Sequence, residues 1–256
     1  MANGSRFLVK RMRLLMVALL VLPLFSMPAQ ASVVSGEFIY VQEGDGSFVQ
    51  YHVNAVDYKG IPAWRVAWDC EQIKAEHYLR QSDGSPLYVK RINHSQKRTV
   101  EITYSLNEKE PTVYRKRSEN EYIERKIWDT GLRDLGALPQ LLLGFAKPDS
   151  REDVSFSAIN YEDGKVYPLI AEQSGYRTVS LEGERVRCAI YDVKLDSWMA
   201  TFIGTTRLLI PLPDEQNSNF VSYNGPGLDG VADAWSLKLL GKGSSLAMAK
   251  EGLLTQ

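Results

Sequence analysis

Apolar and polar residues alternate along most of this chain. In residues 48–56, Val49, Tyr51, Val53 and Ala55 share one face. In residues 63–71, Trp64, Val66, Trp68 and Cys70 stand opposite Arg65, Ala67, Asp69 and Glu71. In residues 98–106, Val100, Ile102, Tyr104 and Leu106 oppose Thr99, Glu101, Thr103 and Ser105. Successive side chains of a strand point to opposite sides of its sheet, so each segment reads as a strand with one buried and one wet face. Residues 185–195 change phase: Val186, Cys188 and Ile190 form one set, then Tyr191, Val193 and Leu195 another. Either a β-bulge or a strand buried on both faces produces that. EGDGS (43–47), DYKG (57–60), SDGSP (82–86), NEKEP (107–111), YEDGK (161–165), EQSG (172–175) and LEGE (181–184) punctuate the strands with turn-forming residues. The pattern predicts about ten to twelve strands in a single antiparallel meander.

One stretch breaks the alternation. TGLRDLGALPQLLLGF (130–145) gathers Leu132, Leu135, Leu138, Leu141, Leu142, Leu143 and Phe145. Pro139 suits a first helical turn, Gly144 weakens the helix and Pro148 ends it. A helix this short does not hold in water by itself, so its leucines must lie on the apolar side of the sheet. The expected fold is therefore all-β with one or two short helices: a curved antiparallel meander, an open or half barrel, covered by the leucine-rich segment.

The ends change the picture of the compartment. Arg6, Lys10, Arg11 and Arg13 precede the apolar run LLMVALLVLPLF (14–25), and SMPAQA places Ala29 and Ala31 at the small-residue positions of a cleavage site. That is the three-part form of a secretory signal, with an apolar core shorter than the ~20 residues of a membrane span. The expected divisions are a signal peptide at 1–31, one β domain at 32–242 and a C-terminal tail at 243–256, with the cleaved protein periplasmic or secreted. The signal removes four of the 30 basic residues and none of the 31 acidic ones, leaving a mature net charge of −5. Nothing in this balance suggests nucleic acid. The two cysteines, Cys70 and Cys188, lie in the exported part, where disulfides persist. A bridge between them and a pair of buried thiols both stay open.

Candidate chemistry is sparse. The chain has no G-x-S-x-G elbow, no H-E-x-x-H pair and no glycine-rich phosphate loop, and His52, His77 and His94 have no ligand spacing. No catalytic, metal or cofactor site is expected. Residues 90–126 hold ten basic residues against six glutamates. Lys90, Arg91, Lys97, Arg98, Arg115, Lys116 and Arg117 are the expected contacts for an anionic membrane surface, with an ordinary solvated sheet face as the alternative. Trp64 and Trp68 on one strand face, with Leu138, Leu141, Leu142 and Phe145 from the cover, are the candidate walls of an apolar ligand site.

The signal peptide, the strand meander, DGSPLYVKR (83–91), the short leucine-rich stretch, TTRLLIPL (205–212) and YNGP (223–226) follow one another in an order with a family likeness. It resembles the bacterial envelope family known as domain of unknown function 3108, over roughly residues 36–242. That family is similar in pattern to the periplasmic lipoprotein carriers, and the resemblance implies an open, strongly curved antiparallel sheet covered by helices. It brings no catalytic residues. The chain lacks the carriers' opening amphipathic helix. The function expected is binding or carriage of a lipid or acylated molecule in the concave face. A packed structural or assembly factor of the envelope is the alternative, and an exported hydrolase the third reading.

Overall fold

The alternating segments form strands in the computed structural model, which describes residues 33–148, 151–196, 204–215, 219–226 and 234–242. The expected signal peptide at 1–31 and the expected tail at 243–256 lie outside the described residues. The first eight strands are β1 (Gly36–Gln42), β2 (Phe48–Tyr58), β3 (Ile61–Asp69), β4 (Ile73–Arg80), β5 (Pro86–Asn93), β6 (Arg98–Thr103), β7 (Thr112–Arg117) and β8 (Tyr122–Ile127). Then come β9 (Leu132–Arg133), β10 (Val154–Ile159), β11 (Val166–Leu181), β12 (Glu184–Leu195), β13 (Thr206–Pro211), β14 (Ser222–Pro226) and β15 (Ala234–Lys242). All fifteen belong to one sheet, ordered β8-β7-β6-β5-β4-β3-β2-β1-β15-β14-β13-β12-β11-β10-β9. The chain therefore starts mid-sheet, walks out to the β8 edge, and jumps to the opposite edge at β9 before walking back. Only residues 128–131 make that jump. Such a length of chain reaches at most about 18 Å. A flat sheet of fifteen strands at ~4.8 Å spacing would hold its edges several times farther apart, so the sheet has to curl until they nearly meet. The result is an antiparallel barrel-like meander with a seam between β8 and β9.

The curl explains the helix. β9 and β10 are parallel neighbours, whereas every other pairing is antiparallel. A parallel pair needs a crossover rather than a hairpin. The crossover supplies a 3-10 turn, η1 (Leu135–Ala137), and the helix α1 (Leu138–Leu143), with Pro139 in the first turn and Gly144 at the end. Leu138, Leu142 and Leu143 are buried in one cluster with Phe38, Tyr51, Trp68, Tyr191 and Phe220. Tyr51 meets Trp68 edge-on at 4.4 Å between ring centroids, and Tyr40 stacks on Phe220 at 4.2 Å. The described residues form fifteen strands where about ten to twelve were expected, and one turn signal shifts as well. EQSG (172–175) is not a turn; it lies inside the sixteen-residue β11, where the register slips between Gln173 and Gly175. The phase change on β12 is burial of both faces: Ala189, Tyr191 and Val193 face the main core, while Val186 and Cys188 join Leu209 and Val221 in a separate cluster. Cys188 in that cluster and Cys70 against the main core are both thiols.

The basic stretch divides by strand parity. Arg91, Arg98 and Lys116 share the inner faces of β5, β6 and β7 with Val89, Val100 and Tyr114, and all three are buried. On the outer face Glu76, Lys90, Glu101, Arg115 and Glu124 lie side by side across β4 to β8, alternating in sign. Lys97 pairs with Glu119 at 2.6 Å, and Arg117 sits 5.8 Å from the Tyr122 ring. The expected positive patch is thus dispersed into a ladder of matched charges and a set of inward cations. The latter receive the β10–β11 turn, which folds across the seam. Glu162 pairs with Arg98 and, at 2.8 Å, with Lys116. Arg91 lies 4.5 Å over the Tyr161 ring, and Arg125 Nε donates to the Asp163 carbonyl at 2.9 Å. Gly164 has φ +66°, and a Cβ there would come within 2.5 Å of the Tyr114 ring.

Candidate binding site

Beside α1 the inner face is not fully filled. A cavity of about 130 Å³ is bounded by Trp64 and Leu79 from the sheet and by Ala137, Leu141 and Phe145 from the cover. Asp83 and Arg133 stand among its polar lining, with Asp134 and Gln140. Gln140 is buried; its Nε2 donates to the Tyr51 hydroxyl, and its Oε1 has no hydrogen-bond partner among the described residues. The site therefore has hydrocarbon walls and one unused acceptor within its lining.

A buried polar cluster holds η1, and with it the start of α1, to the sheet. Asp134 caps η1 and accepts from the Gly136 N–H at 3.3 Å. Its other oxygen meets His77 Nδ1 at 2.6 Å, and the Tyr161 hydroxyl also donates to the carboxylate. The Gly136 N–H reaches the Tyr161 oxygen at 2.7 Å, and Trp68 Nε1 donates to the Gly136 carbonyl at 3.2 Å. Burial pushes the Asp134 carboxyl up, but the facing His77 and the hydrogen bonds from His77, Tyr161 and Gly136 outweigh it and hold the carboxyl below its ordinary value. Burial, reinforced by Asp134, raises the Tyr161 phenol well above its usual range. His77 Nε2 is buried and meets no hydrogen-bond partner among the described residues. The cluster's geometry is that of a latch.

Of the six residues expected at the site, Trp64, Leu141 and Phe145 line the cavity. Trp68, Leu138 and Leu142 do not: they are packed into the aromatic core. Helical periodicity separates them, because Leu138 and Leu142 lie one turn apart on the sheet side while Leu141 and Phe145 share the next stripe round. Asp134, Gln140 and Leu79 were missed. Leu79 shares parity with Ile73, Ala75 and His77, all buried on β4, so alternation could have found it. Asp134 stands just before an apolar turn, where aspartate is a favoured cap. Gly136 reads in sequence as a helix breaker, yet its role is close approach: a Cβ there would lie 2.1 Å from the His77 ring. Among the described residues no group of His, Cys, Asp or Glu could hold a metal, and no helix is long and apolar enough to cross a membrane.

No protein-family model matches the chain, and no curated protein matches it. Among solved structures it is similar to a beta-barrel-like protein of the domain of unknown function DUF1849 from Brucella abortus. The TM-score is 0.40 and the identity 10%, over 81% of this chain and 98% of that one. Neither finding supports the expected resemblance to domain 3108.

Proposed function

We propose that this is an exported, non-catalytic envelope protein that binds the apolar end of a lipid or acylated molecule beside α1. The observation that supports the reading is the cavity between Trp64, Leu79, Leu141 and Phe145. Its size is close to the ~150 Å³ of an apolar cavity that accepts benzene, so it suits a chain end rather than a whole acyl chain. At about 0.8 kcal/mol per buried CH₂, such an end contributes roughly 3 kcal/mol. Deeper entry displaces Leu141 and Phe145, which are half-buried, while Leu138 and Leu142 stay in the core. The signal-like first 31 residues support a periplasmic or secreted location for this binding.

Calorimetric titration of the purified chain with a short-chain lysophospholipid tests the proposal. Wild type binds, and Leu141→Trp, which fills the cavity, weakens binding by about ten-fold or more. No heat with wild type, or equal affinity in the filled variant, defeats it. A packed assembly factor without ligand is the second reading, favoured by the burial of Leu138, Leu142 and Leu143. It predicts a silent titration.

A further inference from the structure

The seam carries a second cleft, on the far side of Asp83 and Arg133 from the cavity. It has a volume of about 300 Å³ and is walled by the β6–β7 loop and by the 128–131 jump. Three large apolar side chains are exposed among the described residues, and two of them, Trp128 (64%) and Leu106 (52%), line this cleft. An exposed indole and an exposed leucine that line one cleft give it an apolar floor a partner side chain can cover. The charge of the lining is one-sided, with exposed Lys109 just outside it between Glu108 and Glu110. Asp83, Glu108, Glu110 and Asp129 line the cleft against a single cation, Arg133. Asp83 is already engaged by Ser85 and Arg80, whereas Glu108, Glu110 and Asp129 stand exposed at the rim.

We propose that this cleft docks a segment of a partner protein in which lysine or arginine alternates with aliphatic residues. The apolar side chain covers Leu106 and one face of Trp128. The basic side chain lays its stem along the indole, which is the aromatic ring most favourable to a cation, and delivers its charge to Glu108, Glu110 or Asp129. Tryptophan at the centre of a contact with charged groups at its rim is the arrangement in which a few residues carry most of the binding. The acidic lining repels an anionic membrane surface, so a lipid bilayer is the wrong partner for this face. The inference is independent of the lipid reading, because neither Trp128 nor Leu106 touches the cavity beside α1.

The test uses the full chain and two six-residue peptides, one alternating lysine with leucine and one alternating glutamate with leucine, together with phosphatidylglycerol vesicles. The lysine peptide binds at least about ten-fold tighter than the glutamate peptide, and its affinity falls with added salt. Trp128→Ala weakens it by about ten-fold or more, and the double variant Glu108→Gln, Glu110→Gln weakens it several-fold and flattens the salt dependence. Both changes are on the surface, and unchanged melting temperatures confirm that the fold is intact. Equal affinity for the two peptides, unaltered binding by Trp128→Ala, or preference for the anionic vesicles overturns the proposal.

Discussion

On the covered side of the sheet, Leu138, Leu142 and Leu143 meet a cluster of aromatic rings. At the seam, the turn at 160–165 binds β5 to β8 through Glu162, Tyr161 and Asp163, using buried Arg91, Arg98 and Lys116. Both regions keep one long sheet curled. The first does so through contacts that have no direction and tolerate neighbours of similar size. The second depends on particular atoms in particular pairs. Between them lies the His77–Asp134–Tyr161 cluster, which ties the cover to the sheet by polar bonds within the apolar interior. The difference teaches where the molecule is specific: the seam and the latch depend on named atom pairs, while many residues share the cover.

The latch gives the largest expected effect. Asp134→Ala leaves His77 and the Tyr161 hydroxyl buried without their shared acceptor, and costs about 3–5 kcal/mol in urea unfolding. Asp134→Asn costs less, because the amide keeps one acceptor. The sign of the pH dependence follows from the lowered carboxyl. A group whose folded pKa lies below its unfolded value, 3.8 for aspartate here, stabilises fully above that value and loses its contribution as pH falls through the folded pKa. Wild type therefore loses stability on acidification below about pH 4 more steeply than Asp134→Asn. Parallel pH profiles for the two proteins contradict the latch. Leu142→Ala comes next, at roughly 2–5 kcal/mol for a leucine fully buried in the cover, and its cost does not vary with pH between 5 and 8. Gly164→Ala follows at about 1–3 kcal/mol, since φ +66° and the Tyr114 ring both oppose a side chain. Thermal melts rank these three, and a Gly164→Ala protein as stable as wild type removes the turn from the closing of the seam.

Much of this was readable in the chain before any coordinate. Parity on β3 and β6 correctly set Val66, Trp68, Val100 and Ile102 inward, and the break in alternation at 130–145 marked the cover. Alternation is local, and so it survives without knowledge of partners. It failed where the chain leaves the core: Ala55, inside β2, and Leu106, beyond β6, carry the buried parity but lie exposed. The seam was invisible for a different reason. Arg91, Arg98 and Lys116 have inward parity, yet an inward cation makes sense only with its acid, and Glu162 lies 64 residues from Arg98 and 46 from Lys116. Leu138 and Leu142 pack in the core while Leu141 and Phe145 line the cavity, because neighbouring stripes of a short helix face different surroundings and composition does not say which stripe packs.

The smallest effect separates the two regions most cleanly. Glu162 is 44% exposed, and Lys116 keeps a second partner in Glu121 at 3.0 Å. Glu162→Gln therefore costs only about 1 kcal/mol, well short of a fully buried pair. Its signature is salt. At 1 M ionic strength the Debye length falls to about 3 Å, so the exposed part of the Glu162 attraction is screened and the gap between wild type and Glu162→Gln narrows. Leu142→Ala shows no such narrowing, because screening does not touch hydrocarbon contacts. A double-mutant cycle with Lys116→Met isolates the pair term, which comes out at a few tenths to 1 kcal/mol at low salt and shrinks with added chloride. If the Glu162 gap is as wide in 1 M salt as in dilute buffer, the turn closes the seam by shape, through Gly164 and Tyr114, and its charges serve only to fix register.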